Sequence, residues 1–497
     1  MRRRPFVVIA LGAVASLAIL ACSGTSPLPP REILSSGSGS VVVLASDAPL
    51  CDVVSFRVTV TGATLTPQGG GAGPIATTPV SLISSAEPVT VDFASLMSAT
   101  GVLARVDVPT GTYSQATITI SDPQLTFLDF STSPPKPVTI VPTLDSLTFA
   151  AAIDPALSVS RDQTGSLEVD LDLLESLELD EDGRITGVVN PVFRLRPGAA
   201  SPTNGFAGLD DLHGLVLGVN PSAGGSFAGS FTLETLGGQG PTLTVNVTDS
   251  TVLDGVADLN SLLPGTFVEV DAFVDASGDI VAREVDAEEL ADPGQGRAAF
   301  VGVVASVARD APPNANEFTV FVRESHPDVS LSVPPTINHV VKVSPTTIFG
   351  IAADEANRAG RVFDASTLGV GQEVVIHGNF LAATPTTPAI INASSIYLRL
   401  QSIVGNFSTL ELAGSDGKTG GFTFAPCATL LAGPDFLVLT FAETEFVNVA
   451  DLNALDPAPT LVARGLLFFE QSPGAVGDVT WTDPTLVFVA TRVRQLE

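Results

Sequence analysis

Few residues in this chain have a type and spacing that could do chemistry. The four histidines are His213, His326, His339 and His377. None forms an HxxxH or HExxH pair, the spacing that puts two imidazoles on one helical face for zinc. The histidines are therefore expected in structural or surface roles. One segment does place oxygen side chains in a cation-loop pattern: Glu178, Asp180 and Asp182 stand at positions 1, 3 and 5, with Gly183 at 6. Position 12 is Val189, where a calcium loop needs a bidentate Glu. Asp182-Gly183 between apolar runs is also a hairpin signal, and a hairpin is the expectation, with these three carboxylates as the Ca²⁺ alternative. There is no Gly-x-Ser-x-Gly elbow and no GxxxxGK[ST] phosphate loop. Cys51 and Cys427 have no His close in sequence, so a Cys/His nucleophile lacks support. A disulfide between them and two free thiols both stay open. With 53 acidic residues, carboxylate pairs arise by chance, and no pair marks a glycosidase. No catalytic residue and no cofactor is expected.

Composition narrows the class. The chain has 497 residues, of which 45% are hydrophobic and 15% charged, with a formal net charge of −30. That is too apolar for a disordered acidic tail, and three cysteines are too few for a disulfide-stapled scaffold. The acidity also excludes a nucleic-acid partner, which needs a basic footprint. One Trp and two Tyr give little aromatic surface for sugar stacking, whereas the 27 Phe suit a core. At about 100–200 residues per domain, the length suggests three or four domains.

The N-terminus carries an address. Arg2, Arg3 and Arg4 precede the apolar stretch Phe6–Leu20, a positive n-region followed by a signal-peptide h-region. Ile19-Leu20-Ala21-Cys22 then resembles the lipobox of bacterial lipoproteins, the alternative being an ordinary secretory signal. The resemblance implies cleavage of residues 1–21 and acylation of Cys22, with the acyl chains as the link to the membrane. Ser23 rather than Asp implies, by analogy with sorting in enteric bacteria, the outer membrane. Residues 22–39, with Gly37-Ser38-Gly39-Ser40 at their end, read as a flexible tether.

Residues 40–197 read as strands and turns. Phe56, Val58 and Val60 alternate with Arg57, Thr59 and Thr61, a period of two. Many short strands with Gly/Pro turns indicate a β-sandwich of immunoglobulin or transthyretin type. Ser46-Asp47-Ala48-Pro49, Val58-Thr59-Val60-Thr61, Gly111-Thr112-Tyr113 and Leu167-Glu168-Val169-Asp170-Leu171 resemble the bacterial family catalogued as domain of unknown function 4382. That resemblance implies an extracytoplasmic sandwich, often on lipoproteins, and supplies no catalytic residue.

After a linker over 198–208, the chain repeats. Each unit opens on a strand with an early glycine: His213-Gly214-Leu215, Val301-Gly302-Val303 and Val404-Gly405-Asn406. A Phe-Thr strand follows at Phe231-Thr232, Phe318-Thr319 and Phe422-Thr423. Each unit has five or six strands, enough for a small closed barrel without exposed edges. The units, 209–292, 297–400 and 401–497, are similar to the family catalogued as domain of unknown function 5666; the third diverges, with Pro459 where Gly is expected. Such barrels look OB-like.

The expectation is an all-β chain: an N-terminal β-sandwich followed by three small OB-like β-barrel repeats. It would be a lipid-anchored, non-enzymatic protein of the cell envelope, acting as scaffold, spacer or adhesion and binding module. Its partner would be an envelope protein or glycan. The alternatives are a glycan- or Ca²⁺-binding surface module, or a hydrolase with an unrecognised site.

Overall fold

A computed structural model describes residues 37–48, 53–68, 78–97, 100–129, 136–181, 184–198, 205, 207–221, 227–290, 297–308, 316–326, 339–352, 360–382, 384, 389–426, 435–455, 460–470, 474–476, 479–481 and 485–495. Of two compact units, Met1–Ser35 and Ser36–Glu497, the second holds them all. Cys22, Cys51, Asp182, Cys427 and Pro459 lie outside the described residues. Among the described residues no helix is long and apolar enough to cross a membrane.

Nearly every regular element is a strand, the main exception being one helical turn at Leu173–Ser176. The N-terminal module is a ten-stranded sheet, eight strands of it in one hydrogen-bonded path, folded over one core. Its first layer runs Gly101–Pro109, Ser38–Ala48, Thr164–Asp172 and Phe193–Pro197. Its second runs Val80–Ile83, Val53–Pro67, Gly111–Asp129 and Thr148–Val159, and the Leu195–Ile153 pairing joins the layers.

The alternation along Val53–Pro67 behaves as its period demands, with one change of phase. Phe56, Val58 and Val60 are buried while Arg57 is exposed. The register against the neighbouring strand slips at Val60/Gly62, and burial moves to Ala63 and Leu65. One extra residue in a strand turns every later side chain over. A second irregularity falls within the long strand Gly111–Asp129. Asp122, at φ +48°, bends Gly111–Asp129 without ending it; Asp tolerates this region better than most residues.

The unbroken run Val41–Leu44 is buried on both sides. Val41, Val43 and Ala45 face the sandwich core, while Val42 and Leu44 join the core of the next module. Two buried faces remove the need for a polar alternate.

Tyr113 sits fully buried just after the turn at Pro109–Gly111, and its hydroxyl donates to the Pro109 carbonyl at 2.8 Å. Tyr113→Phe leaves the ring but orphans that carbonyl, so we expect a loss of about 1 kcal/mol in urea unfolding. A change under about 0.3 kcal/mol would show that water replaces the bond.

Three barrels follow. Barrel 1 uses Ala207–Asn220, Gly229–Thr235, Thr242–Val247, Thr266–Val274 and Ile280–Leu290. Barrel 2 uses Arg297–Ala308, Glu317–His326, His339–Lys342, Glu373–Leu381 and Ile390–Arg399. Barrel 3 uses Gln401–Ala413, Gly420–Pro426, Phe436–Thr440, Thr460–Glu470 and Thr485–Gln495. In each, the first strand pairs with the second and fourth, the second with the third, the fourth with the fifth, and the third runs parallel to the fifth. That last pairing closes the ring, as in an OB-type barrel. A short sixth strand, Val252–Asp254, Ile348–Ala352 or Glu445–Val447, adds to the fifth. Barrel 3 closes with the same pairings despite its divergent sequence.

The modules share cores. Leu215, Phe267, Ala299, Val301 and Val375 form one cluster across barrels 1 and 2, and Leu466, Phe468 and Val489 of barrel 3 enter the core of barrel 2.

Candidate functional site

The notable chemistry lies where the sandwich and the barrels meet. It begins with strand register. In barrel 1, His213 on the first strand stands directly across from Glu269 on the fourth. In barrel 2, Glu324 and His326 lie two apart on the second strand and therefore share a face. Ala299 pairs with His326 on one side and His377 on the other. Packing barrel 1 on barrel 2 puts these groups together.

Phe267, fully buried, is surrounded by imidazoles: His213, His326 and His377 have ring centroids 6.0, 5.4 and 5.9 Å away. Glu324 Oε2 accepts from His213 Nε2 and from His326 Nε2, each at 3.2 Å. One ligand atom from each of His213, Glu324 and His326 lies within 4.8 Å of the others, so the three could hold a metal ion. His213 Nδ1 is 3.1 Å from the Asp211 carbonyl oxygen, the acceptor when this nitrogen carries the proton, and 3.2 Å from Arg399 Nη2, which donates to it when it does not. A crevice beside the group is lined by Thr100, Gly101, Asp211, His213, Thr235 and Glu324.

Arginines organise the rest. Arg399, with a side chain 3% exposed, donates to Glu269 Oε2 from Nε at 3.1 Å and from Nη2 at 2.8 Å, linking barrel 2 to barrel 1. Arg464 of barrel 3 pairs with Asp211 of barrel 1. Arg323 binds Glu373 at 3.0 Å and the Val54 carbonyl of the sandwich at 3.1 Å. Arg361 of barrel 2 meets Glu470 of barrel 3 at 2.7 Å. Two amides complete the seam between barrels 2 and 3. Gln372 Nε2 donates to the Leu467 carbonyl at 2.9 Å, and Gln401 Oε1 accepts from the Glu373 backbone at 2.8 Å. Asp211 reaches Arg464 from a bulge: its φ is +54°, and its backbone N–H donates to Asp271 Oδ1 at 3.0 Å.

This environment moves the titrations. Burial pushes Asp211 up to about 7; Arg464 pulls it down and the Glu269 charge pushes it up. Burial also disfavours charge on Glu324, yet the charges and hydrogen bonds of His213 and His326 hold its carboxyl well below the usual range. Burial and Arg399 disfavour a proton on His213, but the Glu324 charge, the bond to it and the Asp211 carbonyl outweigh them and raise its pKa.

The segment with the calcium-loop pattern lies elsewhere, in the hairpin of Leu177–Leu179 with Ile185–Val189. Asp180 Oδ1 accepts the Arg184 backbone N–H at 2.8 Å, and the Thr186 hydroxyl donates to the Glu178 carbonyl at 3.0 Å, so both residues help build the hairpin. Asp182 is outside the described residues, as is Cys22. A search for helical histidine spacing passes over Glu324-Ser325-His326, the strand-period signal that could have marked the site. No local signal connects it to His213.

Residues 38–186 match the family described as Domain of unknown function (DUF4382), and residues 222–286 match Domain of unknown function (DUF5666). The chain thus contains a domain of each. The comparison with curated proteins finds no match. Among solved structures, one titled "drosophila Unr CSD456" aligns at 10% identity over 58% of this chain and 97% of that one, with a TM-score of 0.14. A likeness at that score carries no argument.

Proposed function

We propose that the protein is a lipid-anchored, non-enzymatic module of the cell envelope that acts as a rigid spacer or scaffold. The supporting observation is the set of buried guanidinium–carboxylate pairs that cross module boundaries, Arg399–Glu269 and Arg464–Asp211 foremost. Buried ion pairs add little net stability over apolar packing. What they do supply is one acceptable arrangement, because any other leaves a buried charge alone. Mobile modules on linkers would have no use for that. The shared apolar clusters support the same reading. An acidic chain repels anionic partners, so its contacts would be with an envelope protein or glycan and not with nucleic acid. In this reading acyl chains on Cys22 hold the protein to the outer membrane through the tether.

The test is phase partitioning of the full chain expressed in a bacterial host. The wild type is expected in the detergent phase and Cys22→Ser in the aqueous phase. Urea unfolding of the aqueous variant is expected to show one transition for sandwich and barrels together. A wild type in the aqueous phase would overturn the anchor, and separate transitions for the modules would overturn the rigid spacer.

A further inference from the structure

We propose that His213, Glu324 and His326 form a binding site for a divalent transition metal of the zinc class, bridging barrels 1 and 2. This inference stands independently of the spacer reading.

Three buried carboxylates of the junction each have a guanidinium: Glu269 has Arg399, Glu373 has Arg323, and Asp211 has Arg464. Glu324, with a side chain 9% exposed, is placed differently. Among the described residues its ion-pair partners are two imidazoles and no Arg or Lys. A buried carboxylate needs a positive partner. A divalent ion between the three groups would supply it without a proton on either ring.

Both Nε2 atoms stand 3.2 Å from the same oxygen. Zinc bonds His nitrogen and carboxylate oxygen at about 2.0–2.2 Å. In a tetrahedral site such bonds put neighbouring ligand atoms about 3.3–3.5 Å apart. Two of the three separations are thus nearly at metal spacing already, and all three fall within 4.8 Å. Two imidazoles with one carboxylate also select the class, because calcium and magnesium prefer all-oxygen shells.

Metal-binding histidines commonly donate their other ring N–H to a backbone carbonyl, which fixes ring orientation and tautomer. His213 Nδ1 has the Asp211 carbonyl for this. Arg399 approaches that same nitrogen and not Nε2, and Glu269 balances its charge. His326 is 0% exposed; among the described residues its Nδ1 has no hydrogen-bond partner, and Glu324 is its one hydrogen-bond partner. The ring is therefore committed to no other structural bond. The crevice beside the group is lined by His213 and Glu324, two of the three ligands.

The experiment uses the full chain without a polyhistidine tag, stripped with chelator and titrated with Zn²⁺. One equivalent is expected to bind. At a hundredfold excess over Kd, Tm should rise by about 3 °C, given ligand linkage and a chain of this size. Co²⁺ should give a visible absorption band of a low-coordinate site, a signature that a purely structural His–Glu–His network cannot produce. Glu324→Gln and His326→Gln, which keep hydrogen-bonding side chains of similar reach, are expected to fold and to lose the bound equivalent and the cobalt band. No stoichiometric uptake by the folded wild type would overturn the proposal. So would uptake unchanged in both variants, or an equal Tm rise with Ca²⁺, which would assign binding to surface carboxylates.

Discussion

Replacing Arg399 with Ala is expected to destabilise the protein by about 3–5 kcal/mol, the range for removing one partner of a buried pair. The reason is what remains. Glu269 would keep its charge at a site 8% exposed, without the two N–H donors that now face one of its oxygens. Glu373, whose Oε1 lies 3.8 Å from Arg399, would lose part of its compensation as well. Arg399→Lys keeps a charge but not the paired Nε and Nη2 donors, and is expected to recover only part of the loss. The double variant Arg399→Met with Glu269→Met removes both charges and is expected to return close to wild type. Urea midpoints of the four proteins measure this. An Arg399→Ala loss under about 1 kcal/mol would mean that water reaches the junction and that the pairs do not hold it.

The second large effect concerns the glycine that opens each barrel repeat. At Gly214 an added Cβ would overlap the Glu234 carbonyl oxygen on the next strand. At Gly302 it would overlap the Phe321 carbonyl, and at Gly405 the Ala425 carbonyl. The neighbour is backbone each time, so no rotamer change relieves the overlap. Gly214→Ala should therefore cost about 2–3 kcal/mol, as overpacking does. Gly218 serves as control in the same strand, because a Cβ there meets nothing within 4 Å. Gly218→Ala should be neutral or slightly stabilising, since Ala loses less entropy on folding. Equal effects at the two positions in thermal unfolding would rule out close approach as the reason for the repeated glycine.

The repeated glycine shows what kind of feature a sequence exposes. It recurs because the same steric problem recurs in each barrel, so the pattern is visible without coordinates. The alternation of Phe56, Val58 and Val60 is legible for a similar reason: a half-buried strand imposes a period of two on adjacent residues.

The bulges mark a limit to this reading. At Gly62 the burial phase turns over, and at Asp122 a strand bends without ending. An extra residue in a strand looks locally like any other; only the partner's register shows it as extra. The junction lies further out of reach. His213 and Glu324 are 111 residues apart, and Asp211 and Arg464 are 253 apart. Nothing near His213 distinguishes it from a surface histidine on a strand.

By itself, then, the sequence determined the all-β class, the sandwich, the three closed repeats and their glycines, because each is written in residues close along the chain. Only the tertiary structure decided which arginine meets which carboxylate, and that Glu324 meets two imidazoles instead. Those choices depend on how closed barrels pack on one another. Buried charges make such packing selective through partners that are distant in sequence, so no local pattern records them.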